Sequence, residues 1–568
     1  MFKRLLLALG LALVAAPASA QNVTCATRPT ADSTNACAST AFTHNAITAV
    51  VPATASANTL YSGPTSGAAA APAFRAMVPA DLPSAVYGTQ SANTIYSGPT
   101  TGAAAAPAFR ALVPADIPTG IPAANSTYTQ SGTGGVSQTV QANIALQPVT
   151  PQQFGAVGNG VADDTAAFND ALATVASGGR VRVPCGTYKV TTLVSVAVAA
   201  GKHIDFSGDG QDCAVIAVTG AINGPTFGFA SQWSSVSTHD LTFTSDQTTG
   251  TNKCLVYTGS FTNANSAYAA QSSLYNVTFR GADAYSTNLQ YCAVGFNNFS
   301  ISNVNIIGLT FQGIATHAGI PIQIIGSGTG STYAVQNNIV GLVANNCTTA
   351  VSYGDWTQGV QMTTSNITGC ANGVTTVTSP AGSLSGLLVT NSQINAFTCD
   401  ICINDAAFDN FQSLNNQLIV ESGATGIKAQ GTNFIMSGDE VNGVTGAATG
   451  ISIGTTSGNG GAINGEHIAN FTTGLAVAAT SAAILTVNNV HWSINTADYS
   501  ISASASGVQI HDTQSRVYST VPACNSAIAH SRFMISDSTV TTYNSTISAG
   551  GGTNYIGMNC DGSRNYAD

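Results

Sequence analysis

Carboxylates are the residues with which this sequence could do chemistry, and they are few: 25 Asp and Glu, with 15 Lys and Arg, among 568 residues. One conspicuous place is Asp163 beside Asp164 in FGAVGNGVADDTAAF, residues 154–168. Another is the group Asp400, Asp405, Asp409, Glu421, Asp439 and Glu440. Hydrolysis of a glycosidic bond needs two carboxyl groups on one face, one protonated as acid and one ionised as base or nucleophile. On that criterion Asp439 and Glu440 in SGDEVNG, with Glu421 and Asp409 about one repeat earlier, are the catalytic candidates. The competing reading is that they are surface carboxylates on turns. Glu466-His467 and His491-Trp492 form a third set, the two histidines lying 24 residues apart. They are binding candidates for a sugar or a metal, or else a solvent-side ladder of stacked rings. Trp233, Trp356 and Trp492 could stack on sugar rings or be half-buried.

Local pattern assigns Asp163 and Asp164 an architectural part. Phe168, Ala171, Leu172 and Val175 fall at i, i+3, i+4 and i+7, one face of a helix. Asp164 then stands at the N-cap, Asp163 favours the helix dipole, and Gly178-Gly179 closes the helix. Arg180-Val-Arg-Val-Pro184 alternates as a strand does.

The elements that must hold the other candidates follow from a repeat. A small or turn residue followed by an apolar one recurs as Ala350-Val351, Gly373-Val374, Asp400-Ile401, Gly426-Ile427, Gly450-Ile451, Gly474-Leu475 and Asp498-Tyr499. The steps are 23, 27, 26, 24, 24 and 24 residues, the period of one solenoid coil built of short strands. Cys347 and Cys370 both lie four residues before the marker apolar residue, so they stack one coil apart within disulfide reach. Cys213, Cys254, Cys292 and Cys399 share another context, where bridges and buried thiols are both open. Cys25 and Cys37 are further bridge candidates. Cys399-Asp-Ile-Cys402 has no partner pair of zinc spacing, and neither a metal nor another cofactor is expected.

Composition narrows the partners. Between Arg280 and Arg516 the only basic residue is Lys428, which excludes the clustered cations that nucleic acid or an anionic membrane surface requires. Residues 1–20, MFKRLLLALGLALVAAPASA, have Lys3 and Arg4, an apolar run, and Ala18-Ser19-Ala20. This is the layout of a signal peptide cleaved after Ala20, too short to span a bilayer. It predicts a secreted or cell-surface protein without membrane insertion. Twelve cysteines, an even number, fit disulfides outside the cell. Residues 58–83 recur at 93–118 with an offset of 35, and both copies are rich in Ala, Pro and Gly. Neither carries the apolar period of a packed core, so residues 21–148 read as a stalk whose units order when chains associate, or as a linker of biased composition.

Three resemblances add to this reading. The repeats, with the pattern GPTSGAAAAPAFRALVPADIP, resemble those of bacteriophage tail-fibre and tail-collar proteins. Phe154-Gly155-Ala156, Gly160, Asp163-Asp164-Thr165 and Pro184-x-Gly186-Thr187-Tyr188 resemble the N-terminal signature of the pectate-lyase-like superfamily, which includes rhamnogalacturonase-like enzymes and phage tailspikes. That resemblance implies an all-β fold, a right-handed parallel β-helix over residues 149–515 with a short helix covering its N-terminal end. Residues 516–568 resemble a small β module that ends many phage tail proteins, bracketed here by Cys524 and Cys560, a pair expected to bridge.

The motifs of polygalacturonases are absent. The nearest approaches are Asn495-Thr-Ala-Asp498, Thr316-His317-Ala318 and Gly426-Ile-Lys428. Calcium-dependent pectate lyases need clustered acidic ligands and a basic residue, and the scarcity of Arg and Lys argues against that chemistry. The resulting expectation is an exported tailspike-like protein, homotrimeric by the tailspike resemblance, that binds a polysaccharide and, as an open option, cleaves it by hydrolysis or elimination. The alternative is a non-catalytic surface fibre or adhesin.

Overall fold

The structure, a computed structural model, describes parts of residues 57–116 and residues 125–567 apart from loops at 221–224, 232–233, 247–252, 260–270, 283–293, 300–302, 314–318, 327–333, 355, 377–383, 404–407, 431–432, 455–459, 479–483, 503, 517, 541 and 543. Cys25 and Cys37 lie outside the described residues. Two units are distinct, residues 1–127 and 128–568.

The second unit is a solenoid whose strands pair in parallel with their counterparts one coil away. Each coil contributes three strands, forming three faces. One coil illustrates them: Ile435–Ser437 on face A, Glu440–Gly443 on face B and Thr449–Ile453 on face C. The sequence markers are one column of face C. Val351 pairs with Val374, and the column continues through Ile401, Ile427, Ile451 and Leu475 to Tyr499. Successive strand side chains point to opposite sides, so a column apolar in every coil becomes a continuous interior. Val374, Ile401, Ile427, Ile451 and Leu475 are all fully buried. Each such side chain removed from water stabilises the fold by roughly 1.5–3 kcal/mol before chain entropy opposes it. Among the described residues of the solenoid, ion pairs lie only in the first coils and at the far end.

The first coils hold an aromatic interior. Phe168, on the helix Thr165–Thr174, meets Tyr188 and Phe227 edge to face at 5.6 and 5.4 Å. Phe206 and Phe229 extend the packing, as do Phe243 and Phe279. Phe168, Ala171 and Leu172 are buried, as the amphipathic pattern predicts, and the helix closes the end of the solenoid as the resemblance implied. The two carboxylates differ from expectation in detail. Asp164 stands at the N-cap, its carbonyl accepting from the Phe168 amide at 3.2 Å, but its carboxylate makes no bond to the helix. It accepts instead from the amides of Val157 at 2.7 Å and Gly158 at 3.2 Å. Asp163 performs the capping, accepting from the Thr165 amide at 3.1 Å and from the Thr165 and Thr191 hydroxyls. Gly155 and Gly158 adopt positive φ, which folds the preceding loop back so that its amides face Asp164.

Four disulfides join described residues: Cys185–Cys213, Cys347–Cys370, Cys399–Cys402 and Cys524–Cys560. The second and fourth are the expected pairs. Cys254 is bridged as well, so in that second group the thiols at 213, 254 and 399 are all oxidised.

At the far end Arg516 is buried, ion-paired to Asp498 and Asp512, with its guanidinium 5.7 Å from the Trp492 ring centre and 5.3 Å from that of Tyr499. Strand Arg532–Ser538 then pairs antiparallel with Asn554–Cys560, which pairs with Asn565–Ala567.

In the first unit each repeat forms one two-stranded hairpin, Thr59–Ser62 with Ala73–Ala76 and Thr94–Ser97 with Ala108–Ala111. Both copies repeat the same contacts, a Tyr61–Phe74 or Tyr96–Phe109 pair at 5.0 Å and an Arg75–Asp81 or Arg110–Asp116 ion pair. No apolar side chain among the described residues of this unit is buried.

Candidate functional site

The corner between faces A and B decides where the candidate carboxylates point. In each coil one residue there has positive φ: Gly341, Thr364, Asn391, Asn415, Gly438, Gly465 and Asn489. The turn throws the next side chain inward, and Leu342, Ser365, Ser392, Asn416, Asp439, Glu466 and Val490 are all buried. The polar members form a ladder. The Ser365 amide donates to the Ser392 hydroxyl at 3.2 Å, the Ser392 amide to Asn416 Oδ1 at 3.0 Å, and the Asn416 amide to Asp439 Oδ1 at 2.7 Å. Asp439 therefore satisfies the backbone and side-chain amides of Asn416 inside the coil.

Burial sets the charge of these groups. It pushes the Asp439 carboxyl up to about 6, with bonds from Ser413 and Asn416 opposing the shift. Burial, with the Asp439 charge one coil away, pushes Glu466 up to about 10. Among the described residues, Asp439 Oδ2 and both Glu466 oxygens have no hydrogen-bond partner. Glu466 is thus a neutral acid at physiological pH, enclosed in the core. Asp400 is likewise buried, which pushes its carboxyl well above the ordinary value, its Oδ1 accepting from the Ala396 amide at 2.7 Å.

Glu440 points the other way. It belongs to an outward column of face B, Asn366, Gln393, Gln417, Glu440, His467 and His491, each paired with the next across adjacent strands. The amides bond along the column at 3.4, 3.1 and 3.4 Å, ending on Glu440 Oε2, while Asn442 donates to Oε1 at 2.8 Å. The rings of His467 and His491 follow, 4.7 Å apart and tilted by 40°.

The structure thus separates the chain neighbours Asp439 and Glu440 onto the inside and outside of one wall, and likewise Glu466 and His467. Glu421 lies in a partly exposed turn after Gln417–Val420, and the backbone of Asp409 pairs with Ser385 at the start of face A. Trp492 is buried against Tyr499 at 4.7 Å, which removes its ring from any sugar. Trp233 lies outside the described residues. Among the described residues no group of three or more His, Cys, Asp or Glu is placed to hold a metal ion.

One charged cluster was not foreseen. On face A of the first coils, His239 bonds Asp240 through Nδ1 at 2.7 Å and Asp205 through Nε2 at 2.8 Å. The Tyr275 ring stacks on it at 4.2 Å, and Arg180 lies 3.7 Å from Asp205. Burial disfavours charge on the imidazole, but the two carboxylates outweigh it and raise its pKa. With both ring nitrogens engaged, His239 has no lone pair free to accept a substrate proton. Arg182 pairs with Asp209 and Arg280 with Asp212 in the same coils. The only sequence signal was the concentration of basic residues before position 281, since apart from the neighbours His239 and Asp240 the partners are far apart in sequence, Arg280 and Asp212 by 68 residues.

Residues 150–375 match the family of rhamnogalacturonase A/epimerase, pectate lyase-like proteins. That segment resembles a pectate-lyase-like domain. Solved structures similar to this chain include two from bacteria and one from a phage. The mannuronan C-5 epimerase AlgE4 A-module of Azotobacter vinelandii is 17% identical, with a TM-score of 0.42, over 64% of this chain and 99% of that one. PfbA, a surface adhesin of Streptococcus pneumoniae, is 11% identical, with a TM-score of 0.41, over 72% and 99%. The tailspike of Escherichia coli bacteriophage HK620, in complex with a pentasaccharide, is 9% identical, with a TM-score of 0.48, over 78% and 95%. No curated protein matches the chain.

Proposed function

We propose that this chain is an exported protein that binds an extracellular polysaccharide along the outer wall of its solenoid. The observation that carries the reading is the unbroken outward column from Asn366 to His491, in which amide, carboxylate and imidazole groups recur once per coil. Strands in such a wall lie about 4.8 Å apart, so the column offers a regular file of donors and acceptors to an extended polymer. The absence of any helix long and apolar enough to cross a membrane among the described residues, together with the disulfides, is compatible with the export that the leader sequence implies.

The repeat unit supports self-association, and we propose a homotrimer. Isolated two-stranded hairpins are marginal in water. Here they leave Leu60, Met77, Tyr96 and Leu112 exposed, surface that packing between chains would bury. Sedimentation of the purified mature protein tests this, with a trimer expected and a monomer at micromolar concentration contrary to it.

Cleavage of the bound polymer is a second reading, favoured by Glu440 and His467 occupying paired outward positions on adjacent strands. Reducing-end release from a polysaccharide panel, with ultraviolet detection of unsaturated products, tests it. Turnover abolished by Glu440→Gln supports cleavage. Binding without turnover leaves a recognition surface, and neither binding nor turnover across the panel refutes the proposed function.

A further inference from the structure

We infer that the polymer recognised by faces A and B is an uncharged, hydroxyl-rich polysaccharide and not a polyuronate or other polyanion; this deepens the proposed function and rests on it. A polyanion held in a groove requires cations facing it, because the Coulomb term falls with distance and is screened within about 10 Å by salt. The wall offers no Lys or Arg side chain in its middle coils. Lys428, the only basic residue between Arg280 and Arg516, lies on face C, paired with Cys402 and Ser452.

On face A the outward column through these coils runs Thr363, Thr390, Leu414, Ser437, Asn464 and Asn488, without a charge. On face B the one carboxylate, Glu440, would repel an acidic sugar. In the first coils, Arg180, Arg182 and Arg280 each face a carboxylate, Lys189 stands beside Asp163 on the adjacent strand, and His239 lies between two carboxylates. What the wall does supply is neutral amides, as in Asn464–Asn488 at 2.9 Å, beside the exposed apolar side chain of Ile435. Amides and hydroxyls match the hydroxyls of a neutral sugar, and aliphatic side chains match its C–H faces.

The test is affinity electrophoresis of the full mature protein in gels containing dextran, galactomannan, xyloglucan, polygalacturonate or alginate, each at 20 mM and 500 mM sodium chloride. Retardation by a neutral polymer, with the dissociation constant changing less than about twofold between the two salt concentrations, is the expected result. Retardation by the polyuronates alone, weakened about tenfold or more by salt, would overturn this inference and leave polysaccharide binding standing. Retardation by no polymer would overturn both. Gln417→Lys with Asn464→Lys supplies the control: the paired variant should gain salt-sensitive retardation by polygalacturonate. Its failure to do so would overturn the argument that missing cations set the preference.

Discussion

Replacing Asp439 by Asn should stabilise the solenoid above pH 6 and do little below pH 4. The carboxyl titrates at about 6 in the fold against an ordinary value of 3.8, chiefly because it is buried. A folded value above the unfolded one means that the fold holds the proton more tightly. The group's contribution is therefore most favourable below about pH 4, declines as pH rises from 4 to 6, and stays at its less favourable level beyond. Two units at about 1.4 kcal/mol each set the loss at roughly 3 kcal/mol. The substituted amide would keep an Oδ1 acceptor for the backbone amide of Asn416, as Asn416 itself does for Ser392. The group it places at Oδ2 inherits a position already without a partner, so 3 kcal/mol is an upper bound. The assay is urea unfolding of wild type and Asp439→Asn at pH 4 and pH 8. The reasoning requires the variant to gain at pH 8 relative to pH 4. A difference that is independent of pH, or that favours wild type at pH 8, would refute the assignment of Asp439 as an interior ladder residue.

Other outcomes follow from the same geometry. Cys347→Ser should lower stability by about 3 kcal/mol, since the bridge closes a 23-residue span; unfolding with and without reductant reads it. Ile451→Ala, in the fully buried face C column, should cost roughly 3 kcal/mol without changing the circular dichroism spectrum of the folded protein. His239→Gln should weaken the first coils by about 1 kcal/mol at pH 6. Its pKa is raised in the fold, so the stabilisation is complete below about 6.5 and is lost as pH rises through the folded value. Hydrogen exchange at residues 203–208 and 235–245 should therefore distinguish the variant at pH 6 and much less at pH 9.

The solenoid was legible because its signal is one-dimensional. Each marker residue from Val351 to Tyr499 needed only its counterpart one period away, and the observed register pairs them in that order. The same logic placed Cys347 against Cys370 and His467 against His491. The inside and outside of the wall were harder to assign, because a two-residue corner reverses the alternation. Asp439 and Glu466 follow Gly438 and Gly465 just as Asn416 follows Asn415, and a glycine or asparagine before a polar residue at this period was the readable sign of an inward ladder. The His239 cluster had no such sign. Its carboxylates come from different strands, and only the folded register brings Asp205 to a histidine 34 residues away.

The most direct test of the central claim is binding by a variant with a blocked wall. Gln417→Trp projects a bulky ring from the middle of the outward face B column without touching the core, since the inward neighbour Leu418 is unchanged. Affinity electrophoresis on whichever polysaccharide retards the wild type, with thermal unfolding as a control for folding, gives the answer. The account predicts at least a tenfold loss of affinity, about 1.4 kcal/mol, with the melting temperature preserved. Undiminished binding by the folded variant would contradict it.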